Sequence, residues 1–208
     1  MNKVLTILLS VLSLFATISC SKELDVTENI ITGFVTLWTD SNGNISVLED
    51  DFGKRFMVDD RDGTKEPADT VLRVISMYIV NSDSTTATVL ETINILSNRA
   101  TDICECENRE IKQDPVKVQS VWLSGGYMNA VILISVHHTP HSLFMIADKK
   151  DNGVDFILYH DRNNDPIGST KNAYFSVPLD GYDLQKGDSI TFSCKGDGAD
   201  YHYAFELQ

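Results

Sequence analysis

The chain has 208 residues, with 30 acidic side chains against 17 Lys and Arg and a formal net charge of −13. That surplus repels phosphate backbones and argues against nucleic-acid binding. It argues equally against a charge-driven grip on anionic lipid.

The N-terminus supplies another route to a membrane. Lys3 is followed by residues 4–18, which carry no charge and are apolar apart from Thr6, Ser10, Ser13 and Thr17. As a helix that stretch covers roughly 22 Å, short of the ~30 Å hydrocarbon core, so residues 1–19 read as a signal peptide. The stretch ends Ala16-Thr17-Ile18-Ser19-Cys20 and polar sequence begins at once. It resembles a bacterial lipobox, with Thr17 in place of the usual leucine, so Cys20 is the expected lipid-attachment residue. Each buried acyl CH₂ adds about 0.8 kcal/mol, and a multiply acylated cysteine is a lasting anchor. Residues 20–29 form a lipidated tether. Its start partly resembles the acidic signals that send some lipoproteins to the outer face of the outer membrane; its plainer reading is a solvated linker. The expected location is the outer membrane, with the face left open.

From residue 30 the sequence reads as strands. Residues 30–38 are rich in β-branched and aromatic side chains, and Asn42-Gly43 is a strong hairpin signal. Runs follow at 45–48 and 55–58, parted by Asp51-Phe52-Gly53, and then at 71–80 and 86–96. Five strands in about seventy residues predict a small closed barrel. Residues 97–115 are mostly polar, and a domain boundary is expected near Pro115. Runs at 117–123 and 127–136 come next, with Gly125-Gly126 as a tight turn and the second run continuous enough for a central strand. Residues 142–147 and 154–160 flank Asp151-Asn152-Gly153. Near the end, Ile190, Phe192 and Cys194, then Tyr201, Tyr203, Phe205 and Leu207, alternate with more polar neighbours, as half-buried antiparallel strands do. The expected fold is all-β: an OB-type five-stranded barrel over 30–114, with its polar linker, and a β-sandwich over 115–208.

The lipobox, the segments Leu48-Glu49-Asp50-Asp51-Phe52-Gly53-Lys54 and Val121-Trp122-Leu123-Ser124-Gly125-Gly126-Tyr127-Met128-Asn129, then Pro140-His141, Phe156-Ile157-Leu158-Tyr159-His160-Asp161 and Phe205 together resemble the NigD-like lipoproteins. The resemblance implies an N-terminal OB-type barrel, a C-terminal β-sandwich and a place in the cell envelope. The family name derives from a proposed role in bacteriocin immunity, and the family offers no catalytic residues to carry over. Nothing in the resemblance accounts for Cys104 and Cys106.

Several groups are candidates for chemistry. Cys104, Cys106 and Cys194 leave an odd thiol whatever pairs, and Cys194 reads either as a partner for one of the other two or as a small buried residue. His137, His138, His141, His160 and His202 offer imidazoles for a metal. On a continuous strand, His137 and His138 point to opposite faces, which favours plain hydrogen-bonded side chains. Asp161, Asn163 and Asp165 have the spacing of a calcium loop's first ligands, but Pro166 stands where that loop needs glycine, leaving a weak ion site or a polar turn. Eight acids and four bases lie between Glu49 and Asp69: a face for a basic partner, or a solvated surface. No nucleophile elbow or phosphate-cradling glycine loop is present. Trp38, Trp122 and Tyr127 could stack on sugars or fill the core.

The sequence therefore predicts a lipid-anchored, non-enzymatic binding module with no cofactor. Its expected partners are the membrane, through the anchor, and a protein such as a basic toxin. The alternative is a glycan-binding accessory lipoprotein that takes a polysaccharide.

Overall fold

A computed structural model describes residues 30–59, 65–106 and 110–208. The signal peptide, Cys20 and the tether lie outside the described residues, as do parts of the two charged stretches after Asp59 and Cys106. Residues Ile31–Gln208 form one compact unit. Among the described residues, no helix is long and apolar enough to cross a membrane.

The strands are β1 (Ile30–Thr39), β2 (Ile45–Asp50), β3 (Arg55–Val58), β4 (Val71–Val80), β5 (Thr86–Asn94), β6 (Thr101–Asp102), β7 (Lys117–Ser124), β8 (Tyr127–Val136), β9 (Ser142–Lys150), β10 (Gly153–Asp161), β11 (Ser169–Pro178), β12 (Ser189–Cys194) and β13 (Tyr201–Glu206). The first five close a barrel in the order β1-β2-β3-β5-β4, with β3 and β5 parallel. The register slips between Trp38 and Thr39, and such a bulge adds the bend that a small barrel needs. Val35, Leu37, Leu48, Phe56, Val74 and Val89 fill the interior.

The second half packs the five-stranded sheet β13-β12-β10-β9-β6 and the three-stranded sheet β11-β8-β7 around one core. On β10, alternate residues Val154, Phe156, Leu158 and His160 face inward, as the two-residue period of a strand dictates. The sandwich is all-β as expected, but its larger sheet is mixed. β12 and β13 are antiparallel, while β10 and β12 run parallel with Phe156 beside Phe192.

The polar stretch after the barrel is not structureless. Leu96 bridges to Phe175, β6 adds to the edge of β9, a 3-10 turn covers Ile103–Cys106, and Gln113 and Val116 bridge to His160 and Gly196. Cys106 and Cys194 are not disulfide-bonded. Cys194 lies on β12, and Cys106 follows β6, with β10 and β9 between. Three strand spacings span roughly 14 Å, well past the Cα separation that a disulfide bridges. Cys194 is a buried thiol, and burial, with the charge of Asp200 behind it, pushes its pKa up to about 12.

Candidate functional site: the cleft between barrel and sandwich

The first site begins with a turn. Between β2 and β3, the Asp50 carboxylate accepts the N–H groups of Phe52 and Lys54 at 2.9 Å each. Gly53 completes the turn at φ 79°, in the left-handed region that glycine enters freely. The tight tip leaves Phe52 no neighbour to pack on, and it stands 96% exposed.

The base of this turn is fixed to the sandwich. Asp51 forms an ion pair with Arg73 of β4, whose side chain is only 3% exposed. A buried guanidinium needs partners, and each of its three nitrogens has at least one. Its Nε donates to Ser176 Oγ at 2.9 Å, with longer contacts to Thr36 Oγ1 at 3.4 Å and Asn129 Oδ1 at 3.3 Å. It also lies over the Tyr127 ring at 4.3 Å. Ser124 Oγ donates to Asp51 at 2.6 Å and accepts from Trp122 Nε1 and Asn129 Nδ2, both at 2.9 Å. Gly125 and Gly126 both have positive φ, as a two-residue hairpin turn requires. A side chain at Gly125 would stand 3.1 Å from Asp51 Oδ1, so glycine there permits the close approach.

Beside this network lies a cleft of about 600 Å³. Ile31, Phe34, Ile75, Tyr78, Trp122 and Tyr174 form much of its wall, with Asp50, Asp51 and Phe52 at its edge. Phe34 meets Trp122 edge-on at 5.1 Å. Burial, then the charges of Asp50 and Asp51, push the Tyr78 hydroxyl pKa upward. Trp122 thus forms a half-buried wall with its N–H already used, and Tyr127 lies under Arg73. Trp38 sits apart with the Arg55 guanidinium over its ring at 5.0 Å.

The second cluster is polar and buried. His160 Nδ1 lies 2.9 Å from the Asp114 carbonyl, its Nε2 lies 2.9 Å from His141 Nδ1, and His141 Nε2 lies 3.3 Å from Asp165 Oδ2. Asp165 also accepts the N–H groups of His137 at 2.6 Å, His138 at 3.2 Å and Thr139 at 2.9 Å. Burial alone would raise the Asp165 pKa, but these donors and the His141 ring outweigh it and hold the carboxyl well below its usual range. Burial, and then the neighbouring His141, lower the His160 pKa, against the Asp114 carbonyl, which raises it.

β8 ends at Val136, and the three N–H groups drawn to Asp165 bend the chain there. His137 and His138 therefore do not take opposite faces of a strand; their rings meet, with Nδ1 and Nε2 2.8 Å apart on the surface. His202 is exposed on β13. Two nitrogens on one tetrahedral zinc stand about 3.4 Å apart, so the 2.9 Å between His141 and His160 is a hydrogen bond. Asp161 pairs with Lys112 at 2.8 Å, Asn163 Nδ2 donates to the Pro140 carbonyl at 2.7 Å, and Asp165 turns inward. Among the described residues, no group of three or more His, Cys, Asp or Glu side chains is placed to hold a metal ion.

A barrel and a sandwich joined by a buried polar network, with an apolar cleft at the seam, define a two-part all-β protein. Residues 100–206 match the NigD-like C-terminal beta sandwich domain, half of the chain, and the chain belongs to the NigD-like family. It is similar to a NigD-like immunity protein from Bacteroides caccae at 26% identity and a TM-score of 0.70, covering 86% of this chain and 98% of that one. The fold is shared with a toxin-related protein from Parabacteroides distasonis, at 16% identity and a TM-score of 0.69 over 86% of this chain and 94% of that one. It is shared too with a protein from Bacteroides fragilis assigned as a lipoprotein, at 14% identity and a TM-score of 0.60 over 86% and 97%. Among curated proteins no sequence matches this chain.

Proposed function

We propose that this chain is a lipid-anchored protein of the cell envelope that binds a protein partner at the barrel–sandwich cleft, without catalysis, and serves bacteriocin immunity. The observation that carries the reading is Phe52, an aromatic ring 96% exposed on a rigid turn at the edge of an apolar cleft. Exposed aromatic anchors beside apolar pockets are where binding energy concentrates in protein interfaces. The acidic surplus favours a basic partner and speeds its approach. Likeness to an immunity protein at 26% identity supports the same role. The anchor rests on the sequence around Cys20, and attachment at the outer membrane belongs to the same proposal.

Two substitutions test it. Cys20→Ala should move the protein from the membrane fraction to the soluble fraction with its fold intact. The second experiment immobilises the chain from Ser21 to Gln208, which contains the compact unit, and passes envelope and secreted fractions over it. A protein held by the wild-type chain and released by Phe52→Ala supports the cleft. Burying one phenylalanine contributes about 1.5–3 kcal/mol, a loss of roughly 10- to 150-fold in affinity. Equal retention by Phe52→Ala would remove the cleft from the proposal, and retention of polysaccharide alone would favour the glycan-binding alternative.

A further inference from the structure

We propose that the buried series Asp114 carbonyl, His160, His141 and Asp165 holds one trapped proton, carried as an imidazolium on His141, and that this charge ties the 137–141 loop to the 162–165 turn. A backbone carbonyl only accepts, so the 2.9 Å contact to Asp114 requires a proton on His160 Nδ1. The 2.9 Å contact between the rings requires one proton, on one nitrogen or the other. The 3.3 Å contact between His141 Nε2 and Asp165 requires a third. Two neutral imidazoles supply only two.

Three placements of the extra proton satisfy the contacts. It can sit on Asp165, on His160 or on His141. Asp165 is the poorest site, because three backbone N–H groups point at its two oxygens and each favours the ionised form. His160 is poor as well. It is 1% exposed in the apolar row of β10, and a charge there would face a carbonyl on one side and no carboxylate on the other. His141 alone touches the carboxylate, with its side chain 2% exposed and that of Asp165 0% exposed. The proton therefore resides on His141, with His160 neutral and accepting through Nε2.

Other charged groups around the pair make contacts of their own, with the Arg162 Nε left without a hydrogen-bond partner. On the same loop, His137 and His138 pair with each other at the surface. From the turn, Arg162 Nη2 donates to the Asp165 carbonyl at 2.8 Å rather than to its carboxylate. Its backbone N–H meets the Asp114 carboxylate at 2.7 Å. Asp161 is held by Lys112. Among the described residues Arg162 is the other cation beside Asp165, and its Nη2 is taken by the backbone carbonyl; removing the proton leaves two donors for three contacts, so at one of them a nitrogen lone pair faces another acceptor. Losing the charge of a buried pair in that way is unfavourable and weakens the tie between the loop and the turn.

Nitrogen NMR of the histidine rings tests this directly, on the chain from Ser21 to Gln208 at neutral pH. The expected pattern is two protonated nitrogens on His141, and on His160 a protonated Nδ1 with a bare Nε2. A bare nitrogen on His141, or two ring protons on His160, would overturn the proposal. Asp165→Asn adds a second arm, because the amide can donate to the ring. In that variant His141 should lose one ring proton; a doubly protonated His141 there would show that Asp165 does not hold the charge. The first arm uses the unaltered protein, so its answer stands whether or not the variant folds.

Discussion

At the scale of single residues, the seam between barrel and sandwich turns on Arg73. It interrupts an apolar strand, Val71-Leu72-Arg73-Val74-Ile75, and a charge in such a run is buried only if it is paired. That interruption is the one trace of the seam in the sequence. Its partners Asp51, Asn129 and Ser176 lie 22, 56 and 103 positions away, beyond any local pattern. Removing Asp51 leaves the guanidinium buried with neutral acceptors alone. Asp51→Ala should therefore cost about 3–5 kcal/mol, read by urea denaturation of the chain from Ser21 to Gln208. Asp51→Asn keeps an acceptor and should lose less. A loss within about 1 kcal/mol for the alanine variant would mean that Tyr127 and the neutral acceptors already suffice. His160 was legible in the same way. It continues the inward row of Val154, Phe156 and Leu158, so its burial follows from the strand period even though its link to His141 does not.

At the scale of elements, legibility followed the punctuation. β3 follows Gly53 and stops at Asp59, β4 runs between Asp69 and Asn81, and β8 follows Gly125-Gly126, and their ends match the expected ones. β11 escapes a period-two reading because its first four residues, Ser169 to Asn172, are polar and exposed at the sheet's edge, and only Ala173 to Val177 carry the core pattern. β6 is two residues long and exists because β9 offers it a free edge, which no composition signals. Parallel pairing of β10 and β12 is equally silent, since their residues alternate as antiparallel strands do. One glycine marks it. Gly153 opens β10 at φ 146°, and a Cβ there would fall 1.9 Å from the Ser189 carbonyl oxygen. Gly153→Ala must push β10 and β12 apart or strain the backbone, at a cost of about 1–3 kcal/mol or more. Thermal unfolding checks it, and an unchanged midpoint would mean that β10 and β12 leave room for a Cβ at that position.

At the scale of the whole molecule, the pH dependence of stability follows from which acids the fold buries. Cys194 is the sharpest case. It sits on the inward face of β12 at 4% exposure, and its thiol pKa is pushed up from 9.0 to about 12. Between those values the unfolded chain gives up the proton and the folded chain keeps it. The contribution is therefore fully present below pH 9, and is lost as pH rises toward 12. Tyr78 and Tyr182, both raised mainly by burial, act in the same direction. Stability should fall steeply on the alkaline side, with Cys194 contributing up to about 1.4 kcal/mol per pH unit. Cys194→Ala separates this from packing. Loss of the sulfur lowers stability by an amount independent of pH, whereas loss of the titrating group removes one proton from the alkaline slope. Urea midpoints measured across pH 8 to 11 should thus start lower for the variant and converge on the wild type as pH rises. Parallel curves would show that the thiol ionises no differently in the folded chain, and that Cys194 sits in a wetter place than the core of the sandwich.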